Sequence, residues 1–491
     1  MRSQLRGASA GVVAAGLGIA VAELFAAAAR PGAGPLVTVG AAVIDATPTP
    51  VKEFAVRELG TYDKLVLLTT IGLVVALLAA VLGILGRRSR PVIVAGATLF
   101  GALGATAALS RPTGTPLDVV PSLLAAIVAG TALWWLVNRV AGPQSTGRRT
   151  FLHALALVGG AAVLTGSAAE IVRRTAGRIR TDLALPPPAS PAEALPAGIG
   201  PGFTTPSAEF YRVDTALTVP RVDPDTWSLR IHGMVGRELR LTLADLLARP
   251  LIERDITLNC VSNEVGGPYI GTARWLGVPL GPLLAEAGLE SGADQIVARS
   301  VEGMTIGTPL ATALDGRDTM LAVAMNGEPL RPEHGFPVRM LTPGLYGYAG
   351  ACKWVTELEV TTFAAFDAYW VERDWSRDGT VRTASRIDRP LPFARPAAGP
   401  VTVAGVAWAQ QRGITKVEVR VDGGVWRAAE LLPVPSADTW VQWRYSWPAT
   451  KGPHSLSVRA TDGTGAVQIE ERATPFPSGA TGWHTITVTV A

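Results

Sequence analysis

Long apolar runs dominate the first third of the chain. A helix that spans a bilayer needs about 20 predominantly apolar residues, and five stretches meet this condition: Ala8–Ala29, Leu65–Leu85, Pro91–Ser110, Val119–Leu136 and Phe151–Val172. A further run, Pro35–Pro48, is too short to span and is predicted to lie at the interface or to re-enter the bilayer. The pattern predicts an all-α membrane domain of about five transmembrane helices over residues 1–180.

After residue 180 the apolar runs become short and alternate with polar residues. "LPPPASPAEALPAGIGPG" (Leu185–Gly202) is too rich in proline and glycine for a helix or strand, so residues 181–202 are predicted to be a linker. In residues 203–390, strand-like runs such as "WSLRIHGMV" alternate with short helical runs such as "LTLADLLAR", which predicts an α+β domain. Residues 391–491 alternate in short segments separated by turn signals, a pattern typical of an immunoglobulin-like β-sandwich.

Charge is divided unevenly between the two halves of the chain. Residues 1–180 carry 17 Lys and Arg against 7 Asp and Glu, whereas residues 181–491 carry 27 against 33. The positive excess therefore belongs to the membrane half, and the larger half is acidic. This distribution excludes a nucleic-acid partner, because a domain that binds nucleic acid concentrates its own Lys and Arg.

The positive residues of the first half predict the membrane topology. Three clusters lie before the first span, between the second and third, and between the fourth and fifth: Arg2 with Arg6, the segment Gly86–Arg90, and Arg139 with Arg148 and Arg149. Cytoplasmic loops carry an excess of Lys and Arg, so these clusters are predicted to be cytoplasmic. The C-terminal half then lies on the outer face of the cytoplasmic membrane. The arginines at 173, 174, 178 and 180 would then lie on the outer side, contrary to this rule.

A second feature gives the same side for the C-terminal half. "GRRTFLH" (Gly147–His153) is similar to a twin-arginine export signal, with two arginines ahead of an apolar run. Arg148 and Arg149 are equally explained as ordinary positive-inside residues. Both interpretations place the region after residue 180 outside.

Cysteine is scarce, with Cys260 and Cys352 as the two in 491 residues. Cys260 ends a strand-like run in "ITLNCVSNEVGG" and enters a polar loop, where a thiolate serves as a nucleophile, a redox sensor or a soft metal ligand. A buried small hydrophobe is the alternative without chemistry. Zinc is disfavoured because no paired Cys/His spacing exists, and no histidine lies within 25 residues of Cys260.

Three segments in series carry a family resemblance. They are "ITLNCVSNE" (Ile256–Glu264), "GTARWLGVPLGPLL" (Gly271–Leu284) and "LAVAMNGEPLRPEHGFPVRMLTPGLYGYAGACKWVTELEV" (Leu321–Val360). Their Cys-x-x-Asn, Gly-x-Ala-Arg-Trp-x-Gly, Met-Asn-Gly, His-Gly-Phe-Pro-x-Arg and Lys-Trp patterns, in this order, resemble the molybdenum-binding core of the sulfite oxidase family. The resemblance extends over residues 205–491, including the terminal sandwich.

The resemblance implies a molybdopterin cofactor with molybdenum, and Cys260 as the catalytic thiolate bound to the metal. Such a ligand is expected at the end of a strand, facing an open cavity. A soft sulfur suits this metal, and metal binding would deprotonate the thiol. The positions that match the family's cofactor-contacting segments are Tyr211, Arg212, Asn263, His334, Arg339 and Lys353. Arg274 either orders the Cys260 loop or belongs to the scaffold.

The groups that bind sulfite in this family are missing. Glu264 and Val265 stand where the family has arginines, and Val323 stands where it has an active-site tyrosine. A carboxylate in place of a guanidinium would repel sulfite. Tyr346 and Tyr348 either supply a hydroxyl or only pack.

These departures favour the same metal chemistry on another substrate. The expected reaction is a two-electron oxygen-atom transfer on a small, non-sulfite molecule. Two alternatives stay open. One is an S-oxide or N-oxide reductase similar to the methionine sulfoxide reductases of the family, and the other is a non-catalytic binding protein on the same fold.

The expected partners besides the substrate are membrane lipid and an electron-transfer partner, either a cytochrome or a quinone. No haem is expected, because a b-type haem normally takes two axial histidines and the membrane half has only His153. Homodimer formation through the terminal sandwich is left open.

Overall fold

The computed structural model describes residues 2–30, 32–59, 62–140, 146–176 and 183–491. Arg178, Arg180 and the first two residues of the predicted linker lie outside the described residues. The chain divides into two compact units. The first comprises Met1–Ile179 with Thr215–Arg221, and the second comprises Arg180–Asp214 with Val222–Ala491.

All the regular elements of the first unit are helices in its described residues. Its helices are α1 (Arg2–Ala29), α2 (Pro35–Ala46), α3 (Thr49–Leu59), α4 (Asp63–Gly86), α5 (Arg90–Leu109), α6 (Val120–Val140) and α7 (Thr146–Ala176), with a 3-10 helix at Pro116–Val119. Helices α1, α4, α5, α6 and α7 are long and apolar enough to cross a membrane. This confirms the prediction of five long apolar helices. The short run at Pro35–Pro48 forms the 12-residue helix α2.

Helix α1 is the centre of the first unit, because α4, α6 and α7 all pack against it. It meets α4 through Gly11, where an added Cβ would overlap the carbonyl oxygen of Ala79, so a side chain there would force the helices apart. Large apolar side chains point away from the bundle, with Leu77 66%, Leu157 70% and Leu164 73% exposed. An apolar surface of this kind suits a lipid environment rather than water.

The second unit is built mainly from strands. Its elements are β1 (Ser228–Gly233), β2 (Leu239–Thr242), α8 (Leu243–Leu247), β3 (Ile252–Asn259), β4 (Ile270–Pro279), α9 (Leu280–Ala287), β5 (Gln295–Ser300), β6 (Thr305–Pro309), α10 (Leu310–Ala313), β7 (Met320–Met325), β8 (Glu328–Pro329), β9 (Arg339–Leu341), α11 (Gly347–Gly350), β10 (Val355–Thr361), β11 (Ala384–Arg389), β12 (Gly399–Trp408), β13 (Ile414–Val421), β14 (Arg427–Ala428), β15 (Glu430–Leu431), β16 (Val441–Ala449), β17 (Gly452–Asp462) and β18 (His484–Val490). Two further 3-10 helices lie at Pro332–His334 and Val371–Arg373.

Two sheets form the α+β part of this unit. One has the order β2-β1-β10-β5-β6, in which β1 and β10 are parallel and the other pairs antiparallel. The other has the order β3-β4-β7-β8, with β9 also paired to β7. Strand β7 is buried along its whole length, as expected for a central strand that reads as a continuous apolar run. This second sheet carries both the Cys260 loop, after β3, and Arg339, on β9.

The remaining strands form a β-sandwich of two four-stranded sheets. Their orders are β11-β12-β16-β15 and β14-β13-β17-β18. Both sheets contribute to one apolar core, which includes Val403 and Trp443 from the first and Val417 and Val458 from the second. The strands predicted from the alternating pattern after residue 391 are all present. Strand β11, which pairs with β12, precedes the predicted boundary at residue 391.

The proline-rich segment before the α+β part has no helix or strand among its described residues 183–202. It is nevertheless bonded to the second unit. The Ala189 N–H donates to the carbonyl oxygen of Leu251 at 2.8 Å, and the Gly200 N–H donates to the side-chain oxygen of Gln442 at 2.9 Å. Its polar backbone groups therefore find partners next to β3 and on β16 of that unit.

Candidate functional site

Cys260 begins the loop that joins β3 to β4. Its backbone N–H donates to the carbonyl oxygen of Tyr269 at 2.9 Å, and the Tyr269 N–H donates to the side-chain oxygen of Asn263 at 2.8 Å. These bonds tie the two ends of the loop to its centre, so the backbone that carries the thiol is held in place. Asn263, predicted to contact a cofactor, uses its amide oxygen to brace the loop.

The Cys260 side chain is buried, with 9% exposure. This burial differs from the expectation of a thiol facing an open cavity. The next residue in the loop, Val261, belongs to a buried apolar cluster with Ile270 and Tyr346. Burial raises the pKa of the thiol, whereas hydrogen bonds from Ser262 and the charge of Lys353 act to lower it. A neutral buried thiol is a poor nucleophile, but a bound metal would remove its proton.

Arg339 is a buried cation without a carboxylate partner in the described residues. It is 6% exposed, its Nη1 donates to the carbonyl oxygen of His334 at 3.2 Å, and its Nε–H has no acceptor. The guanidinium lies over the ring of Trp275, 5.0 Å from the centroid. Burial lowers the pKa of Arg339 to about 10, which leaves it charged at neutral pH. A buried guanidinium with free donors is suited to an anion.

His334 lies beside Arg339 at the end of the 3-10 helix Pro332–His334. It is 2% exposed, and its Nε2 is 2.7 Å from the carbonyl oxygen of Ser207, a geometry that requires Nε2 to carry the proton. Burial lowers the pKa of His334 to about 4, so the ring is neutral at physiological pH. Gly335 follows with φ +107°, and an added Cβ there would lie 3.0 Å from Cβ of Lys353. The glycine therefore allows His334, Arg339 and Lys353 to approach one another.

Lys353 and Arg212 share one carboxylate, that of Asp214. Nζ of Lys353 is 2.6 Å and Nε of Arg212 is 2.8 Å from the same Oδ2. The Asp214 side chain is only 5% exposed and that of Lys353 11%. Burial lowers the pKa of Lys353 to about 8, and the pairing with Asp214 opposes this shift. Asp214 was not predicted as a site residue, although it ends the same segment, "EFYRVD", that gave Tyr211 and Arg212.

Tyr211 joins the thiol to the cationic cluster. It stacks on Phe210, with ring centroids 5.2 Å apart, and Phe210 in turn contacts the ring of His334 edge-on. Burial and the neighbouring Cys260 raise the pKa of the Tyr211 hydroxyl, and Arg339 acts to lower it. The structure therefore brings together Tyr211, Arg212, Cys260, His334, Arg339 and Lys353.

Arg274 belongs to the scaffold. Its guanidinium donates to both carboxylate oxygens of Asp255, at 3.0 and 2.7 Å, and to the carbonyl oxygen of Glu193. The bidentate pair links β3 to the neighbouring strand β4, below the loop.

The positions that depart from the family differ in their surroundings. Val323 is fully buried within β7, so no hydroxyl is offered from that position. Tyr348 donates its hydroxyl to the carbonyl oxygen of Ser376 at 2.6 Å. The Tyr346 hydroxyl accepts from the Arg382 N–H at 3.2 Å, and burial together with nearby Cys260 raises its pKa. The sequence left the role of Tyr346 open, and the structure bonds its hydroxyl to the Arg382 N–H.

The chemistry of the donor set fits an anionic cofactor that carries its own metal. Among the described residues, no group of three or more His, Cys, Asp or Glu side chains could hold a metal ion. The guanidinium of Arg339, with an unused buried donor, has the chemistry that suits an anionic group such as a phosphate.

Comparison with known proteins identifies a family that the chain resembles. The model of the oxidoreductase molybdopterin binding domain matches residues 216–370. The chain is 31% identical to sulfite oxidase of Gallus gallus, covering 57% of this chain and 72% of that protein. It is 31% identical to mitochondrial sulfite oxidase of Homo sapiens, covering 54% and 57%, and 31% identical to an NADH nitrate reductase of Oryza sativa subsp. japonica, covering 55% and 35%.

The match spans little more than half the length of several curated relatives, such as 51% of the mitochondrial sulfite oxidase of Mus musculus. Among solved structures, the chain resembles the sulfane dehydrogenase SoxCD from Paracoccus pantotrophus. The TM-score is 0.52 at 26% identity, and the likeness covers 58% of this chain and 80% of that one.

Proposed function

The chain belongs to the sulfite oxidase family of molybdopterin oxidoreductases, and from that premise we propose that it is a membrane-anchored enzyme acting on a small, non-sulfite substrate. The observation that carries the proposal is the convergence of the buried Cys260 thiol with Arg339, His334 and Lys353. When bound, the molybdenum cofactor supplies two-electron oxygen-atom transfer.

Each residue of the cluster has a defined role in this proposal. Cys260 is the protein's ligand to molybdenum. Arg339 binds the anionic part of the cofactor through its free donors, and Lys353, held by Asp214, adds a second positive charge. His334 is neutral and serves as a hydrogen-bonding group rather than a charge. Arg212, Tyr211 and Asn263 complete the walls of the site.

The charges near Cys260 support a substrate other than sulfite. Glu264 and Val265 line the cavity next to the loop, together with Arg382 from beside the sandwich. A carboxylate there opposes a doubly charged oxyanion, whereas it tolerates a molecule without net charge. An S-oxide or N-oxide, reduced in the manner of the family's methionine sulfoxide reductases, is the second candidate that this charge pattern favours.

The location follows from the helical unit and its charges. We place α1, α4, α5, α6 and α7 across the cytoplasmic membrane, because their apolar side chains are exposed on the outside of the bundle. The arginine clusters favour a cytoplasmic position for the loop after α4, which puts the region after residue 180 on the outer face. The electron partner is then a cytochrome or a quinone reachable from that face.

The terminal sandwich is proposed to be immunoglobulin-like. Its two four-stranded sheets enclose a single core of alternating inward residues, as in that fold. A homodimer through this sandwich is part of the proposal, and its test is the mass of the purified protein in solution.

Metal analysis tests the proposal directly. We expect about one molybdenum atom per full-length chain after expression with cofactor supply. Cys260→Ser should change the metal spectrum, whereas Cys352→Ser, the matched substitution of the other buried free cysteine, should leave it unchanged. A metal-free wild-type protein would leave a non-catalytic binding protein as the surviving explanation. An unchanged spectrum in Cys260→Ser would remove Cys260 as the ligand.

A further inference from the structure

The first unit contains an apolar cavity of about 130 Å³ lined by helices α1, α2, α4, α5 and α6. Its lining along α6 runs from Ser122 to Leu133, which is about 16 Å of helix at 1.5 Å per residue. Phe100 of α5 adds an aromatic ring one helical turn before Gly104, where an added Cβ would lie 2.6 Å from Oγ of Ser122. Among the described residues that line the cavity, Ser122 alone has a polar side chain. The cavity is therefore apolar along its length and polar at one end.

The hydroxyl of Ser122 is buried and unsatisfied. The residue is 3% exposed, and its Oγ has no hydrogen-bond partner among the described residues. Other hydroxyls of the same unit bond back to a carbonyl oxygen three or four residues earlier, as Ser110 does to Ala107 at 3.0 Å and Thr131 to Ile127 at 2.8 Å. An unsatisfied hydroxyl is costly in an apolar environment, so the cavity is expected to hold a group that accepts its hydrogen bond.

The lining restricts the chemistry of that group. A buried water needs about two to four polar partners, whereas the lining offers one polar side chain. An acyl chain would fill the cavity but accepts no hydrogen bond. A phospholipid head group brings a charged phosphate, and no cationic side chain lines the cavity in the part of the chain that the structure describes. The chemistry that fits is an apolar ring that carries a carbonyl oxygen and an apolar tail.

We propose that this cavity binds an isoprenoid quinone, with a carbonyl oxygen accepting from Ser122, the ring beside Phe100 and the tail directed along α6 towards Leu133. The inference rests on the proposed function and assigns its electron partner. In the proposed orientation α6 begins at the outer face, so Ser122 holds the ring near that face. Oxidation of a substrate with oxygen from water releases two electrons and two protons, and reduction of the quinone to the quinol consumes both. The opposite reaction takes them from the quinol.

Quinone binding tests the role of the hydroxyl. The probes are decylubiquinone and a short-chain menaquinone, added to the full-length protein in detergent, and decylbenzene is the control ligand without a carbonyl. Ser122→Ala should weaken quinone binding about fivefold, the size of one neutral hydrogen bond, and should leave decylbenzene binding unchanged. Ser110→Ala removes a hydroxyl outside the lining and should change neither.

Infrared spectroscopy gives a second reading of the same bond. A carbonyl stretch of the bound quinone should lie at lower frequency in the wild type than in Ser122→Ala, because a hydrogen bond weakens the C=O bond. Absence of binding by both quinones would overturn the proposal. Equal affinity and equal frequency in Ser122→Ala would overturn the assignment of the carbonyl to Ser122.

A pair of neighbouring substitutions tests the location. Val75 of α4 lines the cavity, whereas Val74 beside it is 49% exposed and lies outside the lining. Val75→Trp should fill the cavity and abolish quinone binding, and Val74→Trp should leave it unchanged. Val75→Phe replaces the first variant if it does not fold. Equal binding by the two variants would overturn the site, and displacement of the quinone by phosphatidylglycerol would identify a lipid as the occupant instead.

Metal analysis separates this inference from the proposed function. Ser122→Ala and Val75→Trp should leave the molybdenum content unchanged, because both residues lie in the first unit. Decylubiquinone should reoxidise the reduced metal in Val74→Trp and fail to do so in Val75→Trp, and equal reoxidation would overturn the cavity as the route of the electrons. A molybdenum-loaded protein that binds no quinone would overturn the inference and leave the enzyme standing. A metal-free protein with the full pattern of quinone binding would do the opposite.

Discussion

Arg386 of strand β11 donates from Nη1 to the carbonyl oxygen of Gly267 at 2.8 Å, so the sandwich holds the loop that carries Cys260. His484 of strand β18 contributes to the same contact. Its ring packs against Gly266, and its Nδ1 accepts from the Ile387 N–H at 2.9 Å, which fixes the ring. The position of the thiol therefore depends on two strands that lie more than a hundred residues further along the chain.

Gly266→Ala should disturb the contact between His484 and the loop that carries Cys260. Gly266 has φ +82°, and an added Cβ would collide with the His484 ring. Gly292→Ala is the matched control, because Gly292 has φ +87° and open space around it. We expect a loss in the free energy of unfolding of about 1 kcal/mol for Gly292→Ala and about 3 kcal/mol for Gly266→Ala. Denaturant titration measures both losses of stability. Equal losses for the two variants would show that the His484 ring moves aside. Only Gly266→Ala should also reduce bound molybdenum.

Removal of the Arg339 charge should weaken cofactor binding without destabilising the cofactor-free chain. A buried guanidinium without a carboxylate is costly to the folded state, so Arg339→Met should leave the melting temperature of the cofactor-free chain unchanged or raise it. The same substitution should lower the molybdenum content about tenfold or more, because charged hydrogen bonds to the cofactor are lost. Elemental analysis and thermal unfolding give the two readings.

Arg274→Met is the contrasting control for Arg339. It leaves Asp255, whose side chain is 5% exposed, without its bidentate partner. We expect a loss of about 3 kcal/mol in the free energy of unfolding, as for a broken buried pair. A stability loss for Arg339→Met as large as for Arg274→Met would contradict the view that Arg339 is unpaired in the cofactor-free chain.

Acid should destabilise the cofactor-free chain through His334. The pKa of this histidine is about 4 when folded against 6.5 as its ordinary value. Between these values the unfolded chain binds more protons, so the free energy of unfolding falls as pH drops from 6.5 towards 4. The loss reaches about 3 kcal/mol for one such group. His334→Gln, which retains a donor for the Ser207 carbonyl, should flatten this part of the curve, measured by denaturation at several pH values.

His454 provides the control of opposite sign. Asp422 raises the pKa of His454, so its stabilising pair is present below pH 6.5 and is lost as pH rises. His454→Gln should therefore lower stability at acid pH and make the acid loss larger. If His334→Gln left the slope unchanged, His334 would not be a buried neutral group in solution.

Much of this organisation could be predicted from the sequence, and the reason is local. The run Leu65–Leu85 predicted a long apolar helix, which the structure extends to Asp63–Gly86, because such a helix is recognised by its apolar length. The strand before Cys260 was predicted from the strand-like run that ends at this cysteine. The resemblance then gave His334, Arg339 and Lys353 as one group.

The partners of these residues could not be predicted in the same way. Asp214 and Lys353 are 139 residues apart, and Arg386 and Gly267 are 119 apart. Such pairs form only once the sheets are assembled, so no spacing in the sequence indicates them. Burial of Cys260 was one of the alternatives that the sequence left open, and it is the assembled fold that leaves the residue 9% exposed.

Membrane topology gives a prediction for intact cells. Ser89 follows α4, Thr113 follows α5, and both are exposed, as is Val425 in the sandwich. Single cysteines at Thr113 and Val425 should react with a membrane-impermeant maleimide, and one at Ser89 should react only after the cells are opened. Native Cys260 and Cys352 are buried and contribute little background. Labelling of Ser89→Cys in intact cells would reverse the orientation.

Both the stability of the site and the charge of Lys353 should depend on Asp214. It accepts from Lys353 at 2.6 Å and from Arg212 at 2.8 Å, and its side chain is 5% exposed. Asp214→Asn leaves a buried ammonium without its counter-ion, so we expect a loss of about 3 to 5 kcal/mol in the free energy of unfolding. The pKa of Lys353 should fall further below about 8, because the pairing with Asp214 opposes the effect of burial.

A double-mutant cycle identifies which cation matters. Asp214→Asn combined with Lys353→Met removes both charges, and most of the stability should return, giving a coupling of about 2 to 3 kcal/mol. Combination with Arg212→Met should restore less, because the Arg212 side chain is 33% exposed and water solvates it once the carboxylate is gone. Equal couplings for the two cations would show that exposure does not decide the strength of these pairs. A coupling near zero for Lys353 would mean that its other acceptor, the Glu333 carbonyl oxygen at 3.3 Å, suffices without the carboxylate.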